Sequence, residues 1–191
     1  MFSRTISSDV SVRLSLPQYA DELYALTDAN RAFLSRWLPW LDGIRCADDT
    51  REFIQRQLHR FADGEALHVT VFCCGRVAGV AGFNRIDAVN GIGYLGYWLA
   101  EEFNGRGIMT AVVADLVTVA RESLGLQKVD IRCTTGNQRS RAIPERLGFS
   151  HEGTIRRAER VNGGWLDHEV YGLLLNDTEQ AADGDAATGA G

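Results

Sequence analysis

Two glycines, Gly105 and Gly107, lie in a short loop between a predicted strand at residues 94–99 and a predicted helix that follows Gly107 directly. The first backbone N–H groups of a helix have no partner within it, and its N-terminal end is the positive end of the helix dipole. Glycine lets a backbone approach a phosphate closely because it has no Cβ. The pattern therefore predicts a site for a pyrophosphate group at the start of this helix.

Apolar residues recur with helical period after the loop, at Met109, Val112, Val113, Leu116, Val117 and Ala120. They fall on one face and predict a helix that packs against a sheet. A nucleotide P-loop would place Lys and then Ser or Thr after the last glycine, but Ile108 and Met109 stand there. A dinucleotide-binding fold would need a third glycine. Both of these phosphate sites are therefore excluded.

A third phosphate loop fits better. The segment resembles the acetyl-CoA loop of the GNAT N-acetyltransferases, written Q/R-x-x-G-x-G/A. Asn104 stands at its first position, Gly107 at its first glycine and Met109 at its last position, so two of the three positions depart from the pattern. The segment is more similar to the RimJ/RimL branch of the family, which acetylates ribosomal proteins. The loops of that branch read GYWL, then a few acidic residues, then x-G-x-G-I/L-x-[TS].

A second segment strengthens the resemblance. Residues 137–149, NQRSRAIPERLGF, resemble the family signature N-x-x-S-x-x-[AV]-x-[ER]-[KR]-[LNI]-G-F and follow a predicted strand at 129–133. The later E-G-x-x-R, NG, D and Y positions of the branch are matched at residues 152–156, 162–163, 167 and 171. Two motifs in the right order are more specific than either alone, and the resemblance covers residues 8–176.

Other patterns predict the remaining elements. We expect a strand at 10–16, helices at 17–29 and 30–38, a helix at 48–63 capped by Asp48 or Asp49, a hairpin of 67–74 and 77–86, and a last strand at 168–175. The order β–α–α–α–β–β–β–α–β–α–β–β indicates an α/β (mixed α+β) fold with one mixed sheet covered by helices on both faces. The resemblance implies a GNAT fold, a mostly antiparallel sheet whose central parallel strands splay apart.

The domain is expected to cover residues 1–175. The Ala-, Gly- and Asp-rich tail at 176–191 is expected to be disordered, since it has too little apolar surface to bury.

The resemblance implies that acetyl-CoA is the co-substrate and lies between the splayed strands. Backbone groups near Trp98, Leu99 and Ala100 would bind its pantetheine arm like an added strand. The expected phosphate-binding residues are Asn104, Gly105, Arg106, Gly107, Ile108, Met109 and Thr110. Asn137 would bond the cofactor or cap the next helix.

Acetyl transfer by direct attack of an amine needs a base for the amine and an acid for the departing thiolate, but no protein nucleophile. The resemblance suggests Ser140 as the acid, with a simple helix-cap or turn serine as the alternative. It also suggests Glu159 as the base, acting through water, unless Glu159 only pairs with neighbouring arginines on an exposed face. Glu65 is a second candidate carboxylate.

Two tryptophans flank Pro39, and Trp37 and Trp40 are expected either to wall the acceptor groove or to pack in the core. The four histidines show no metal-ligand spacing, so we expect no metal. We expect Cys73 and Cys74 to face opposite sides of a strand, with all four cysteines as thiols in a reducing cytoplasm.

The formal net charge of −5 argues against a nucleic-acid surface, and neither a membrane span nor a signal peptide is predicted. The expected function is N-acetylation of a protein N-terminal α-amine, in the cytoplasm. The acceptor alternative is a small amine, such as an antibiotic or an aminoacyl-nucleotide. Other classes left open are an inactive CoA-binding regulatory module and a non-enzymatic interaction protein. A homodimer is also left open.

Overall fold

In the computed structural model, which describes residues 3–175, eight strands form one mixed sheet and five α-helices connect or cover them. The strands are β1 (Ser3–Thr5), β2 (Val10–Leu14), β3 (Leu67–Cys73), β4 (Arg76–Asp87), β5 (Ile92–Leu99), β6 (Lys128–Thr134), β7 (Ser150–Val161) and β8 (Gly164–Leu174). The helices are α1 (Ala20–Ala29), α2 (Arg31–Leu34), α3 (Ala47–Ala62), α4 (Ile108–Glu122) and α5 (Gln138–Arg146). The predicted disordered tail lies outside the described residues.

The strands are arranged in the order β1-β2-β3-β4-β5-β6-β8-β7. Every neighbouring pair is antiparallel except β5 and β6. These two strands run parallel, and α4 connects them in the chain. The predicted fold class, with its mostly antiparallel sheet and central parallel pair, is confirmed.

The parallel pair separates halfway along its length. Its register runs from Ile92↔Lys128 to Leu95↔Ile131 and then stops, although β5 continues to Leu99 and β6 to Thr134. Each strand keeps its outer partner beyond that point, β4 for β5 and β8 for β6. A gap therefore opens between the carboxyl halves of the two central strands, as the family resemblance predicts.

Helices cover both faces of the sheet. On one face, α4 buries most of its predicted apolar stripe, with Val112, Val113 and Leu116 fully enclosed and Val117 only partly buried at the edge. On the other face, residues of α1 and α3 pack against β3 and β4 in a smaller cluster that includes Leu23 and Ile54. No helix within residues 3–175 is both long and apolar enough to cross a bilayer.

On the N-terminal side the elements differ from those predicted, and residues Pro17–Tyr19 form a 3₁₀ turn, so that α1 begins at Ala20 rather than at residue 17. Strand β1 was not predicted, and β2 ends two residues early, at Leu14. The expected helix at 30–38 shortens to Arg31–Leu34, because the chain turns after Leu34 and Leu38 is extended ahead of Pro39.

The start of α3 and one cysteine also differ from expectation. Cys46 caps α3, while Asp49 accepts hydrogen bonds from the Arg45 and Cys46 amides as the third residue of a capping box. Cys74 lies in the β3–β4 turn with φ of 50° rather than in a strand, so its exposure does not arise from strand alternation.

Candidate active site

The loop before α4 has the backbone geometry of an anion-binding turn. Gly105 and Gly107 have φ of 75° and 73°, in the left-handed region that favours glycine. Gly107 is the N-cap of α4, and in the described part of the chain no side chain caps this end of the helix. A Cβ at either glycine would meet no atom within 4 Å. The backbone angle therefore favours glycine at both positions, and the space beside each is open to a ligand.

The side chain of Asn104 and the backbone N–H of Ala100 are already hydrogen-bonded to other residues of the protein. The Asn104 side-chain amide donates to the carbonyls of Ala100 and Glu101, at 3.0 and 3.3 Å, and so closes the turn that follows β5. The Ala100 N–H donates to the Ala78 carbonyl at 2.9 Å. Since backbone groups of successive strand residues point to opposite edges, those of Leu99 point toward the gap. Leu99, rather than Ala100, can therefore offer backbone bonds to a ligand there.

A cavity of about 400 Å³ lies where the end of β5 meets the starts of α4 and α5. Predicted cofactor residues that line it are Trp98, Leu99, Asn104, Met109 and Asn137, together with Ser140. The other predicted cofactor residues, Ala100, Gly105, Arg106, Gly107, Ile108 and Thr110, do not line this cavity and belong to the adjoining loop and helix start.

A second cavity of about 900 Å³ crosses the face of the sheet beneath α3. It includes Glu159, Trp37 and Trp40 from the sequence predictions. The two cavities share six lining residues, namely Trp37, Leu38, Tyr97, Trp98, Asn137 and Ser140. Two molecules bound in the two cavities would therefore meet beside Ser140 and Tyr97.

Ser140 lies in the first turn of α5, held by two neighbours. Its N–H donates to Asn137 Oδ1 at 3.2 Å, which confirms that Asn137 caps the helix. The Tyr97 hydroxyl donates to the Ser140 carbonyl at 2.9 Å, and Ser140 Oγ lies 3.5 Å from that hydroxyl. Because this last contact is long, the Ser140 hydroxyl keeps its capacity to donate to a ligand.

Tyr97 was missed in the sequence, since its position beside Ser140 depends on the opening between β5 and β6. Burial raises the pKa of the Tyr97 phenol, which therefore stays protonated and can act as a hydrogen-bond donor.

Glu159 faces the second cavity from β7. Its Oε2 lies 3.3 Å from His168 Nε2, and within residues 3–175 it makes no ion pair with the arginines next to it in sequence. The register of β7 on β8 shifts between Ile155 and Glu159, and the Arg157 N–H in this bulge donates to Asp167 at 2.7 Å. The bulge orients Glu159 toward the cavity rather than toward its arginine neighbours.

The two predicted wall residues are not core residues. Trp40 is 44% exposed, and its ring lies 6.3 Å from that of Trp98. Trp37 is half-buried and packs near Gly136. Glu65 pairs with Arg60 at 3.5 Å and lines neither cavity, so it does not reach the site.

Cys133 and His168 are further cavity residues that sequence patterns did not identify. Burial raises the pKa of the Cys133 thiol to about 11, so the neutral thiol predominates. Across the described chain, His, Cys, Asp and Glu side chains form no group of three suited to hold a metal ion.

Residues 12–150 match the family model for the acetyltransferase (GNAT) domain. The chain is 36% identical to the putative ribosomal N-acetyltransferase YdaF of Bacillus subtilis (strain 168), over 94% of this chain and 98% of that protein. It is 28% identical to the ribosomal-protein-serine acetyltransferase of Escherichia coli (strain K12), over 90% of this chain and 96% of that protein.

Solved structures agree with these relatives. RimL, a ribosomal L7/L12 alpha-N-protein acetyltransferase in complex with coenzyme A, superposes with a TM-score of 0.87 at 30% identity, over 91% of this chain and 98% of that one. The microcin C7 self-immunity acetyltransferase MccE, in complex with acetyl-CoA and AMP, superposes with a TM-score of 0.85 at 29% identity, over 88% of this chain and 94% of that one. The chain belongs to the GNAT acetyltransferase family and is an N-acetyltransferase.

Proposed function

We propose that this enzyme transfers the acetyl group of acetyl-CoA to the α-amine at the N-terminus of a protein. The observation that carries the proposal is the meeting of two cavities beside Ser140 and Tyr97, one next to the Gly105–Gly107 loop and one under α3. Direct transfer between two substrates needs such a junction, because the amine must reach the thioester carbon without a covalent enzyme intermediate.

The residues around the first cavity fit acetyl-CoA. The free amides of Arg106 to Thr110 would hold its pyrophosphate at the start of α4, where the helix dipole favours an anion. The Leu99 backbone would pair with the pantetheine arm in the gap between β5 and β6. The related RimL structure holds coenzyme A through a disulfide to one of its cysteines. Cys133 lines the second cavity here, beside Ser140, and would lie near the CoA sulfur.

Bound acetyl-CoA supplies the activated acetyl thioester, and the chain supplies position and proton transfer. Glu159 would accept a proton from the acceptor amine through a water molecule. The Ser140 hydroxyl, with Tyr97 beside it, would donate a proton to the departing sulfur. Holding both substrates in reactive geometry contributes on the order of 7–11 kcal/mol to lowering the barrier.

An α-amine suits this site better than a lysine side chain. Its pKa is about 7.7–8.0 against about 10.4 for lysine, so a larger fraction is neutral at pH 7 and a weak base suffices. The exposed Trp40 and half-buried Trp37 offer flat surfaces to the first residues of a peptide. Relatives named for ribosomal proteins favour a ribosomal acceptor in the cytoplasm. Sedimentation of the purified enzyme tests the homodimer that the sequence leaves open.

A second candidate acceptor is a small amine. The MccE structure, which holds AMP together with acetyl-CoA, supports a nucleotide-linked amine on a closely similar fold. The two acceptors are distinguished by incubating the enzyme with labelled acetyl-CoA, a purified ribosomal protein set and a panel of small amines, and by mapping the label with mass spectrometry. Label on protein N-termini supports the proposal, whereas label only on a small amine supports the second candidate. Acetyl-CoA binding with no transfer would indicate an inactive module.

A further inference from the structure

The floor of the second cavity carries a guanidinium that no carboxylate neutralises. Three arginines line this cavity. Arg56 pairs with Glu52 at 2.7 Å, and Arg60 lies 3.5 Å from Glu65. Arg132 forms no ion pair with any residue of the part that the structure describes, and its guanidinium carbon lies 5.5 Å from the centre of the Tyr94 ring. An exposed cation held over an aromatic face can still bind an anion.

Arg132 lies on the same sheet face as the candidate base. In the β6–β8 pair, Thr134 is opposite His168 and Arg132 is opposite Val170. Side chains two residues apart share a face, so Arg132 lies about 7 Å along the strand from the level of His168. An extended peptide advances about 3.3–3.6 Å per residue. An acceptor whose amine lies at Glu159 would therefore bring its second or third residue to Arg132.

Nearby anions do not compete for Arg132. Asp130, two residues earlier on the same strand, is buried and pairs with Lys128 at 2.9 Å, and Lys128 also pairs with Glu152 at 2.7 Å. Glu159 is already directed toward His168. The positive charge of Arg132 is therefore available to a ligand that enters the cavity.

A second polar group of the same cavity also lacks a partner. His68 is 8% exposed and lines the cavity, yet among residues 3–175 neither of its ring nitrogens has a hydrogen bond of good geometry, although Asn84 lies beside it. A buried polar group without a partner costs free energy unless water or a ligand satisfies it. The cavity floor is thus suited to a polar chain and not only to the apolar contacts of Trp37 and Trp40.

We propose that Arg132 binds a side-chain carboxylate of the acceptor, so that preferred acceptors are peptides with Asp or Glu at the second or third residue. This inference rests on the proposed transfer to an α-amine. A guanidinium and a carboxylate form charge-assisted, often paired hydrogen bonds, which a neutral amide of the same shape does not reproduce.

The test compares peptides that differ only by Asp against Asn, at the second and at the third residue, with wild-type, Arg132→Gln and Arg56→Gln enzymes. We expect wild type to have an about tenfold lower KM for an Asp peptide, equivalent to about 1.4 kcal/mol. Arg132→Gln should abolish this preference and leave the KM for acetyl-CoA unchanged. Arg56→Gln is the matched control, because Arg56 lines the same cavity but already has a carboxylate partner, and it should keep the preference.

The outcomes separate this inference from the proposed function. Acetylation of all the peptides with no Asp preference, or an equal effect of Arg132→Gln on Asp and Asn peptides, would overturn the role of Arg132 alone. If the wild-type enzyme acetylates none of the peptides while it acetylates a small amine, both the inference and the N-terminal acceptor are wrong.

Discussion

Glu159 Oε2 lies 3.3 Å from His168 Nε2, although a regular pairing of β7 and β8 would set the two residues further apart. From the pair Ile155↔His168, an unbroken register would place Glu159 opposite Gly164, but Glu159 lies opposite Leu166 instead. The bulge in β7 thus moves Glu159 two residues closer to His168 along the strand. This contact orients the only carboxylate that the proposed mechanism uses as a base.

Replacement of Glu159 by Gln removes the base but keeps the shape of the side chain. We expect kcat/KM to fall about 10²-fold, the lower range for loss of a general base, and the acid limb of the pH profile to move. His168→Gln, which keeps Glu159 but loses the imidazole, should lower kcat about tenfold with little change in the acceptor KM. Glu65→Gln is the control, because it replaces a carboxylate outside the site, and it should keep the wild-type pH profile. If Glu159→Gln also keeps the wild-type pH profile, Glu159 has only a structural role.

Ser140 and Tyr97 place two hydroxyls at the junction of the cavities. We expect Ser140→Ala to lower kcat about 10²-fold and to leave acetyl-CoA affinity nearly intact, because only proton donation to the leaving sulfur is lost. If Tyr97 takes over part of this task, Ser140→Ala combined with Tyr97→Phe will be slower than the single variant. Single-turnover kinetics measure the rate of acetyl transfer for the single and the double variant. A kcat for the double variant equal to that of wild type would show that neither hydroxyl acts as the acid.

Gly107→Ala tests the predicted phosphate site. The new Cβ strains a left-handed residue and projects into the space in which we place the pyrophosphate, so the Kd for acetyl-CoA should rise about tenfold. Gly125→Ala is the matched control, since Gly125 also has a positive φ, 62°, and open space around its Cβ, but lies beyond the other end of α4. Calorimetry that shows equal affinities for the two folded variants would contradict the placement.

The buried imidazole of His68 makes stability depend on pH. Burial lowers the pKa of His68 to about 4, from 6.5 in an unfolded chain, and the charge of Arg60 adds to the shift. Between these values the unfolded state binds more protons, so the free energy of unfolding falls as the pH falls. Urea denaturation should show that protonation of this imidazole in the unfolded state lowers the free energy of unfolding by about 2 kcal/mol between pH 7 and pH 5.

His68→Gln should remove that part of the pH dependence, whereas His59→Gln, at an exposed position on α3, should keep it. If wild type and His68→Gln lose the same stability between pH 7 and pH 5, the imidazole is not held neutral by burial.

Local patterns in the sequence predicted the parts of the fold that depend on neighbouring residues. The helix after Gly107 and the Asn137 cap were found where helical period and capping chemistry placed them. The parallel strand pair joins distant residues and was found where the order of the elements placed it. Boundaries near Pro39 were wrong, because there the chain is held by distant groups, including the Arg31 guanidinium bonded to the carbonyls of Leu41 and Ile44.

The site could be predicted only in part for a related reason. Ser140 and Glu159 were named from motifs, but their partners Tyr97 and His168 carry no sequence signal of their own. Tyr97 reaches Ser140 because two strands separate, and His168 reaches Glu159 because a third strand bulges. Such contacts depend on register, which residue types and spacing do not specify.

The central claim is transfer to an α-amine at the junction of the two cavities. The most direct measurement is kcat/KM for two matched peptides with labelled acetyl-CoA, one with a free N-terminus and no lysine and the other with a blocked N-terminus and one lysine. We predict acetylation of the first, at a rate at least about 10²-fold above the second, as the difference in neutral amine at pH 7 requires. Acetyl groups found only on the lysine, or on neither peptide, would contradict the account.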